Sequence, residues 1–380
     1  MSTPDLRVVW RADARSSACH RRIERGLKRF RPEVQNAVRA LAARHPRLGE
    51  LVLSFPALAV KLALAGAGRD AAAAMVIAGE SLGDIAAAAR LPLWTRSLPP
   101  EAFAGPVPRL PLSQDFFRRI AAHVPKTRQA ADWLAAVAFA AVWGDEAFAV
   151  WLAREFVRAP KPKRGRRARF RTTLLTLWAW FSRRPGTRAS ELIDRAWNPA
   201  IGVRAALDAA AIWWAAVELF VELGDAPLPD VWMPAAEVDG YEFVPLSRAA
   251  DVLEEARAME NCLRGFGADL ADNYVRLWSV RQGSRRIATL RVDCDRRAPL
   301  PRLVELEAVR NQPPPPEVWL AAHRWLLMQD PAKPPPQPGP RTVPLDGATW
   351  RALWKPYWLT KRALPAWLPL APKRDVLWSF

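Results

Sequence analysis

Arg276-Leu277-Trp278-Ser279-Val280-Arg281 is followed by Gly283-Ser284 and then by Arg286-Ile287-Ala288-Thr289-Leu290-Arg291-Val292. In the second run Ala288, Leu290 and Val292 alternate with Thr289 and Arg291, which is the period of a half-buried strand. A glycine-containing link between two such runs signals a hairpin, more weakly than Asn-Gly does. Leu303 to Val309 repeats the alternation, with Val304, Leu306 and Ala308 on one predicted face and Glu305 and Glu307 on the other. Pro313 to Pro316 end the pattern, and Glu317 to Met328, carrying Trp319 and Trp325, predicts a helix. The expectation is a small antiparallel sheet of three or more strands with helices on one face.

Upstream of this core, Tyr241 to Leu246 reads as a further short strand, and Ser247 as the N-cap of a helix running to about Met259. Gly224 to Asp230, rich in Gly, Asp and Pro, marks a domain boundary. Before it, apolar residues recur at three- and four-residue spacing over about 32–44, 49–66, 70–90, 113–123, 128–143, 145–158, 172–181 and 200–223, which predicts helices. Trp213 and Trp214 fall in that text as core residues. The organisation expected is a helical region over 1–230, an α/β module over 231–330 and a Pro/Trp-rich basic tail over 331–380. The fold class is α+β: a mainly helical N-terminal region, then a small antiparallel-sheet module.

Met259-Glu260-Asn261-Cys262-Leu263-Arg264-Gly265-Phe266 opens the module, and Val309-Arg310-Asn311 closes its last strand. Together with the two strands quoted above, these resemble the PcfJ-like family, named for a protein carried on a conjugative plasmid. Asn261 stands where many members have histidine, Phe266 where they have tyrosine, Arg291 in an acidic place and Ala308 in the place of a glycine. Leu91 to Phe103, with Trp94, Leu98 and Phe103 as apolar anchors, is similar to a phrase in longer bacterial members. The resemblance implies a cytoplasmic protein associated with mobile elements. It implies no reaction, because the family lacks a well-defined activity.

Cys262 is the obvious nucleophile, and a thiolate needs a base or a cation beside it. Asn261 cannot serve as a base, which leaves His323 on the last helix, and Asn311 as a polar partner. The structural alternative is a cysteine acting as a small buried hydrophobe. Glu305 and Glu307 share a strand face and could converge on a hard cation, although alternating charges on a solvated strand give the same pattern. Three cysteines, none in a CxxC pair, and four scattered histidines predict neither a disulfide framework nor a structural metal site. No cofactor is implied.

The net charge is +18, with 56 Lys and Arg against 38 Asp and Glu, and only nine of the 56 are lysine. A polyanion partner, nucleic acid contacted non-specifically through its phosphate backbone, is the expectation from that charge. Codon bias toward arginine is the compositional alternative. The strongest local feature is Arg158 to Arg171, with eight basic residues and no acid, where Pro160, Pro162 and Gly165 predict an extended loop. Lys161, Lys163, Arg164, Arg166, Arg167 and Arg169 in this segment, with Arg281 and Arg310 of the module, are the candidate phosphate contacts. In the tail, Trp350, Trp354 and Trp358 recur every fourth residue among cations. They are read either as stacking platforms for single-stranded bases or as a stripe docking on the protein body, with Pro356 interrupting the helix. A protein partner engaging the tail is a further reading. No apolar run is long enough for a membrane span, and Met-Ser-Thr-Pro-Asp-Leu-Arg contains no signal core, which predicts the cytoplasm. The function expected is that of a non-enzymatic nucleic-acid-binding accessory protein. The alternatives are an enzyme with a site around Cys262 and Asn311, or a protein–protein adaptor.

Overall fold

The computed structural model describes residues 18, 20–64, 69–126, 129–158, 166–228, 230–295, 298–329 and 347–362. The protein is α+β, with helices over the N-terminal region and a five-stranded antiparallel sheet in the C-terminal half. It divides into two compact units, Met1–Trp180 with Trp197–Ala206, and Phe181–Ala196 with Leu207–Phe380.

The first unit begins with a helical segment over 20–27, which the sequence reading did not anticipate, and continues into short helices. The apolar text of 49–66 is broken by Pro56. Phe55, the residue before that proline, is pushed out of the helical region (φ −153°, ψ 73°), which leaves α1 (Pro32–Ala42), α2 (Pro46–Ser54) and α3 (Pro56–Ala63) as separate rods. The text of 70–90 breaks too. Gly79 adopts φ +85°, and the amides of Gly79 and Glu80 both return to the Met75 carbonyl, a glycine C-cap that ends α4 (Arg69–Ala78). Ser81 then caps α5 (Leu82–Ala88) by accepting from the Asp84 amide at 3.2 Å.

Next come 3-10 turns at Leu93–Ser97 and Pro100–Ala102, α6 (Gln114–Ile120), α7 (Ala130–Trp143) and α8 (Glu146–Arg158). Trp94, Leu98 and Phe103 are buried as anchors of the irregular 91–103 segment. Trp133 and Trp151 are fully buried, and their indole N–H groups donate to the carbonyls of Ala153 (3.0 Å) and Ile201 (2.8 Å). Burying the ring while satisfying the N–H lets tryptophan fill a core without an orphaned donor.

The chain then enters α9 (Arg166–Ser182), α10 (Arg188–Glu191) and α11 (Val203–Leu223); the division between units falls inside α9 and α11. In the second unit β1 (Ala236–Val238) and β2 (Tyr241–Pro245) form a hairpin. Its loop residues Asp239 and Gly240 both have positive φ (54° and 78°), the backbone a two-residue turn of this kind requires. α12 (Ala249–Ala258) follows. Its N-cap position is Arg248 rather than Ser247, and the Asp251 carboxylate accepts from the Ser247 and Arg248 amides. A 3-10 turn (Leu263–Phe266) and α13 (Gly267–Ala271) lead to β3 (Val275–Gln282), β4 (Arg285–Asp295) and β5 (Ala298–Glu307). The five strands form an antiparallel meander in chain order.

One face of the sheet carries Phe243, Trp278, Val280, Ala288, Leu290, Val292 and Leu306. α14 (Pro316–Leu327) covers it with Val318, Ala321, Ala322 and Trp325. Trp325 stacks on Phe243 at 4.9 Å and meets Trp278 edge-on at 5.1 Å. Val304 does not join this face. Arg291 pairs with Glu305 but Val292 pairs with Leu303, so Val304 is a bulge residue, 42% exposed, and Leu303 packs inward in its place.

α15 (Gly347–Lys361) is continuous through Pro356. Leu353, Trp354 and Tyr357 are buried, with Trp354 against Phe181 at 5.8 Å and Trp214 at 6.4 Å. The docking reading of the tail tryptophans therefore holds for Trp354. Among the described residues no helix is long and apolar enough to cross a membrane.

Candidate functional site

The second face of the sheet is partly polar. Register puts Ser279 beside Thr289 and Thr289 beside Glu307, which makes one row across β3, β4 and β5. α12 lies over this row and contributes Glu255, whose side chain is wholly buried. The Thr289 hydroxyl donates to Glu255 Oε1 (3.1 Å) and accepts from Asn261 Nδ2 (3.2 Å), while Arg286 Nε donates to Glu255 Oε2 (2.9 Å). Arg286 also reaches Glu254. A buried carboxylate is tolerated here because both oxygens are bonded and one partner is cationic. Glu307, at the end of the row, has its carboxyl raised above the usual range by burial, reinforced by the charge of Glu305.

At the edge of this layer the two ends of the module meet. The Arg310 amide donates to the Met259 carbonyl (2.8 Å), and its guanidinium grips Glu260 through two bonds of 2.8 and 3.2 Å. That pairing lowers the Glu260 carboxyl and raises the Arg310 guanidinium, chiefly through the hydrogen bonds. Glu260, Arg310 and Asn311 all sit at positive φ (49°, 59° and 57°) without being glycine. Arg310-Asn311 therefore turns the chain after β5 instead of extending it. Ala308 lies at φ −78°, ψ −173°, where any residue fits, so the backbone makes no demand for glycine there.

Cys262 is exposed, next to Asn261 on the α12 side of the sheet. His323 lies on α14, which covers the other side, and its ring stacks on Trp319 at 6.0 Å. The sheet stands between them, so the thiol and the imidazole form no nucleophile–base pair. Asn311 is exposed, and neither it nor Cys262 lines the cavity formed in this unit by α11, the 264–268 turn and α15. Glu305 is held by Arg291 at 3.1 Å, and among the described residues no group of His, Cys, Asp and Glu could hold a metal ion.

The arginines of the module are mostly structural. Arg276 is buried and donates to the carbonyls of Asp230, Leu270 and Val275 and to the Asn273 side chain, with Trp232 against its guanidinium. Burial, opposed by the charge of Asp230, lowers its pKa to about 10, so it remains charged at neutral pH. Arg291 is clamped between Asp293 and Glu305, Arg264 turns to Asp194, and Arg281 Nε donates to Ser279 Oγ at 3.0 Å. Residues 231–330 contain 13 Lys and Arg against 15 Asp and Glu, whereas 1–230 contain 35 against 21 and 331–380 contain 8 against 2. The positive surplus therefore lies outside the module.

Of the basic segment, Lys161, Lys163 and Arg164 lie outside the described residues. Arg166, Arg167 and Arg169 occupy the first turns of α9, so the expected loop does not extend through residue 171. A second basic surface lies outside the candidate phosphate contacts drawn from the sequence. Arg21, Arg22 and Arg25 on the 20–27 helix and Lys28 in the turn after it are all exposed, and among the described residues none is in an ion pair. Glu24, the acid among them, is turned to Arg39 (3.7 Å), and Arg29 to Glu101 (2.9 Å). Spacings of four and three residues put Arg21, Arg25 and Lys28 on one face, and this was the signal that could have identified them. No protein-family model, no curated protein and no solved structure matches this chain.

Proposed function

We propose that the protein is a cytoplasmic, non-enzymatic accessory protein of PcfJ-like type, associated with mobile elements, that binds nucleic acid through the phosphate backbone with little sequence preference. The contact is made from the N-terminal region, by Arg21, Arg22, Arg25 and Lys28 together with the 158–171 segment. The β module acts as a charge-balanced platform. The observation that carries this reading is the exposed basic face at 21–28, unpaired among the described residues, in a chain whose surplus charge lies outside 231–330. Cations without a carboxylate partner exchange only solvent and small anions for phosphate, and the counterions released from the nucleic acid drive binding. The separation of Cys262 from His323 by the sheet supports the non-enzymatic part.

The test is fluorescence anisotropy with labelled single-stranded and duplex DNA between 50 and 200 mM salt. Three proteins are compared: the full chain, a variant with Lys163, Arg164, Arg166 and Arg167 changed to glutamine, and the Arg281→Gln/Arg310→Gln double variant. Steep salt dependence that flattens in the first variant and not in the second is the expected result. Absence of binding at 50 mM salt, or an equal loss in the module variant, overturns the reading.

A further inference from the structure

β5 ends the sheet, with β4 on one side of it only. Among the described residues the backbone of 302–307 makes no hydrogen bond except to β4, so its other edge is a row of open amides and carbonyls. Pro299 and Pro301 have no N–H to donate, which confines the open template to those six residues. The edge is reachable from solvent: Arg302 is exposed, and Val304 is 42% exposed.

This edge is complementary to itself. With Val304 bulged out, the rungs set by β4 are Arg302, Leu303, Glu305, Leu306 and Glu307. Arg302, Glu305 and Glu307 therefore share the face of Thr289 and Arg291, while Leu303 and Leu306 share the apolar face that α14 covers. A second copy running antiparallel about Glu305 would oppose Arg302 with Glu307 and Leu303 with Leu306, each twice by symmetry. The bulge makes this match: in a regular strand Arg302 and Glu307, five residues apart, would point to opposite faces.

The charges that would meet are the unused ones. Among the described residues neither Arg302 nor Glu307 is in an ion pair, whereas Glu305 at the centre is already held by Arg291 at 3.1 Å. Burial and the charge of Glu305 keep the Glu307 carboxyl above its ordinary range, as expected of an acid with no cation beside it. We infer that the chain associates with a second copy of itself through β5, joining two five-stranded sheets into one antiparallel sheet with an Arg302–Glu307 pair at each end of the seam. Repulsion between two chains of net charge +18 opposes this and is screened at physiological salt. The seam is short, so the dimer is weak, with a Kd on the order of 10–100 µM.

The experiment is sedimentation velocity of the full chain from about 5 to about 500 µM in roughly 150 mM salt with a reducing agent. A concentration-dependent dimer is expected. Arg302→Glu sets acid against Glu307 and weakens the dimer by about tenfold or more, and Arg302→Glu/Glu307→Arg, with both charges reversed, restores it. The register is read separately, in a Cys19→Ser/Cys262→Ser background. There Glu305→Cys, which faces its own copy, forms an interchain disulfide on oxidation, because paired strands bring the two Cα atoms within its reach. Arg302→Cys, which faces Glu307, does not. A monomer at the highest concentration, a dimer unchanged by Arg302→Glu, or a double variant that stays monomeric at wild-type Tm overturns the proposal. If the double variant has a lowered Tm, the disulfides decide, and equal cross-linking at 302 and 305 overturns it. No nucleic acid is present in these measurements, so the outcome is independent of the nucleic-acid reading.

Discussion

Arg286 of the sheet and Arg25 of the first helix are the same side chain in opposite settings. Arg286 donates to Glu255, whose side chain is wholly buried, and reaches Glu254; Arg25 is exposed and has no acidic partner among the described residues. Arg276, Arg281 and Arg291 of the β module follow Arg286, with their donors spent on carboxylates, carbonyls and hydroxyls of the fold. The 20–28 region follows Arg25. Arginine content therefore says little about where a polyanion would land: an arginine with its donors already matched offers a phosphate much less than an unmatched one.

The largest effect expected on this contrast is from Arg286→Met. It leaves the Glu255 carboxylate buried with only Thr289 beside it and should cost about 3–5 kcal/mol in denaturant unfolding. Arg25→Gln, by comparison, should stay within about 0.5 kcal/mol. If the two costs come out similar, the contrast is broken. Changing Arg21, Arg22, Arg25 and Lys28 to glutamine together should flatten the slope of log affinity for duplex DNA against log salt by roughly 3–4, about 0.9 per phosphate contact. An unchanged slope would move the interface away from this helix. Thr289→Val removes the hydroxyl between Asn261 and Glu255 and should cost about 1–3 kcal/mol, because it strands two buried polar groups.

The smallest effect concerns pH. Glu260 has its carboxyl lowered in the fold by Arg310, so its contribution to stability is present above the ordinary carboxylate range and is lost as pH falls through the lowered value. The Tm gap between the wild type and Arg310→Gln should therefore exist at pH 7 and close in acid. A gap that persists in acid assigns the role of Arg310 to its backbone turn rather than to its charge.

The β3–β4 pairing and the tryptophan-bearing helix α14 were legible because two faces with different solvents impose a period on the residues. What escaped has local causes. Val304 looks like an inward residue by alternation, and only the bulge at that point moves it out, because a one-residue insertion inverts every face assignment beyond it. Arg310 and Asn311 adopt left-handed backbone that no side-chain pattern announces. The β1–β2 hairpin is different: Asp239-Gly240 is a strong turn signal, but its flanking strands, three and five residues long, are too short for alternation to show. Pro356 was read as an interruption, yet α15 runs through it while Leu353, Trp354 and Tyr357 are buried along one side. For the site, the convergence of 259–261 with 310–311 depends on a tertiary hydrogen bond between residues fifty apart, and no local spacing encodes that.

The Thr289 hydroxyl has a further consequence. Glu255, as a carboxylate, can only accept, so the threonine proton must point toward it, and the oxygen is left facing Asn261 as an acceptor. The chain of bonds thus has a direction, and position 261 is a socket for a donor. Asparagine fills it with its amide N–H, and a histidine there would fill it with a ring N–H, which would then fix that ring's tautomer. Aspartate, the nearest isostere of asparagine, would bring a lone pair to meet a lone pair. Replacing Asn261 by histidine would thus change the residue and conserve the polarity of the wire.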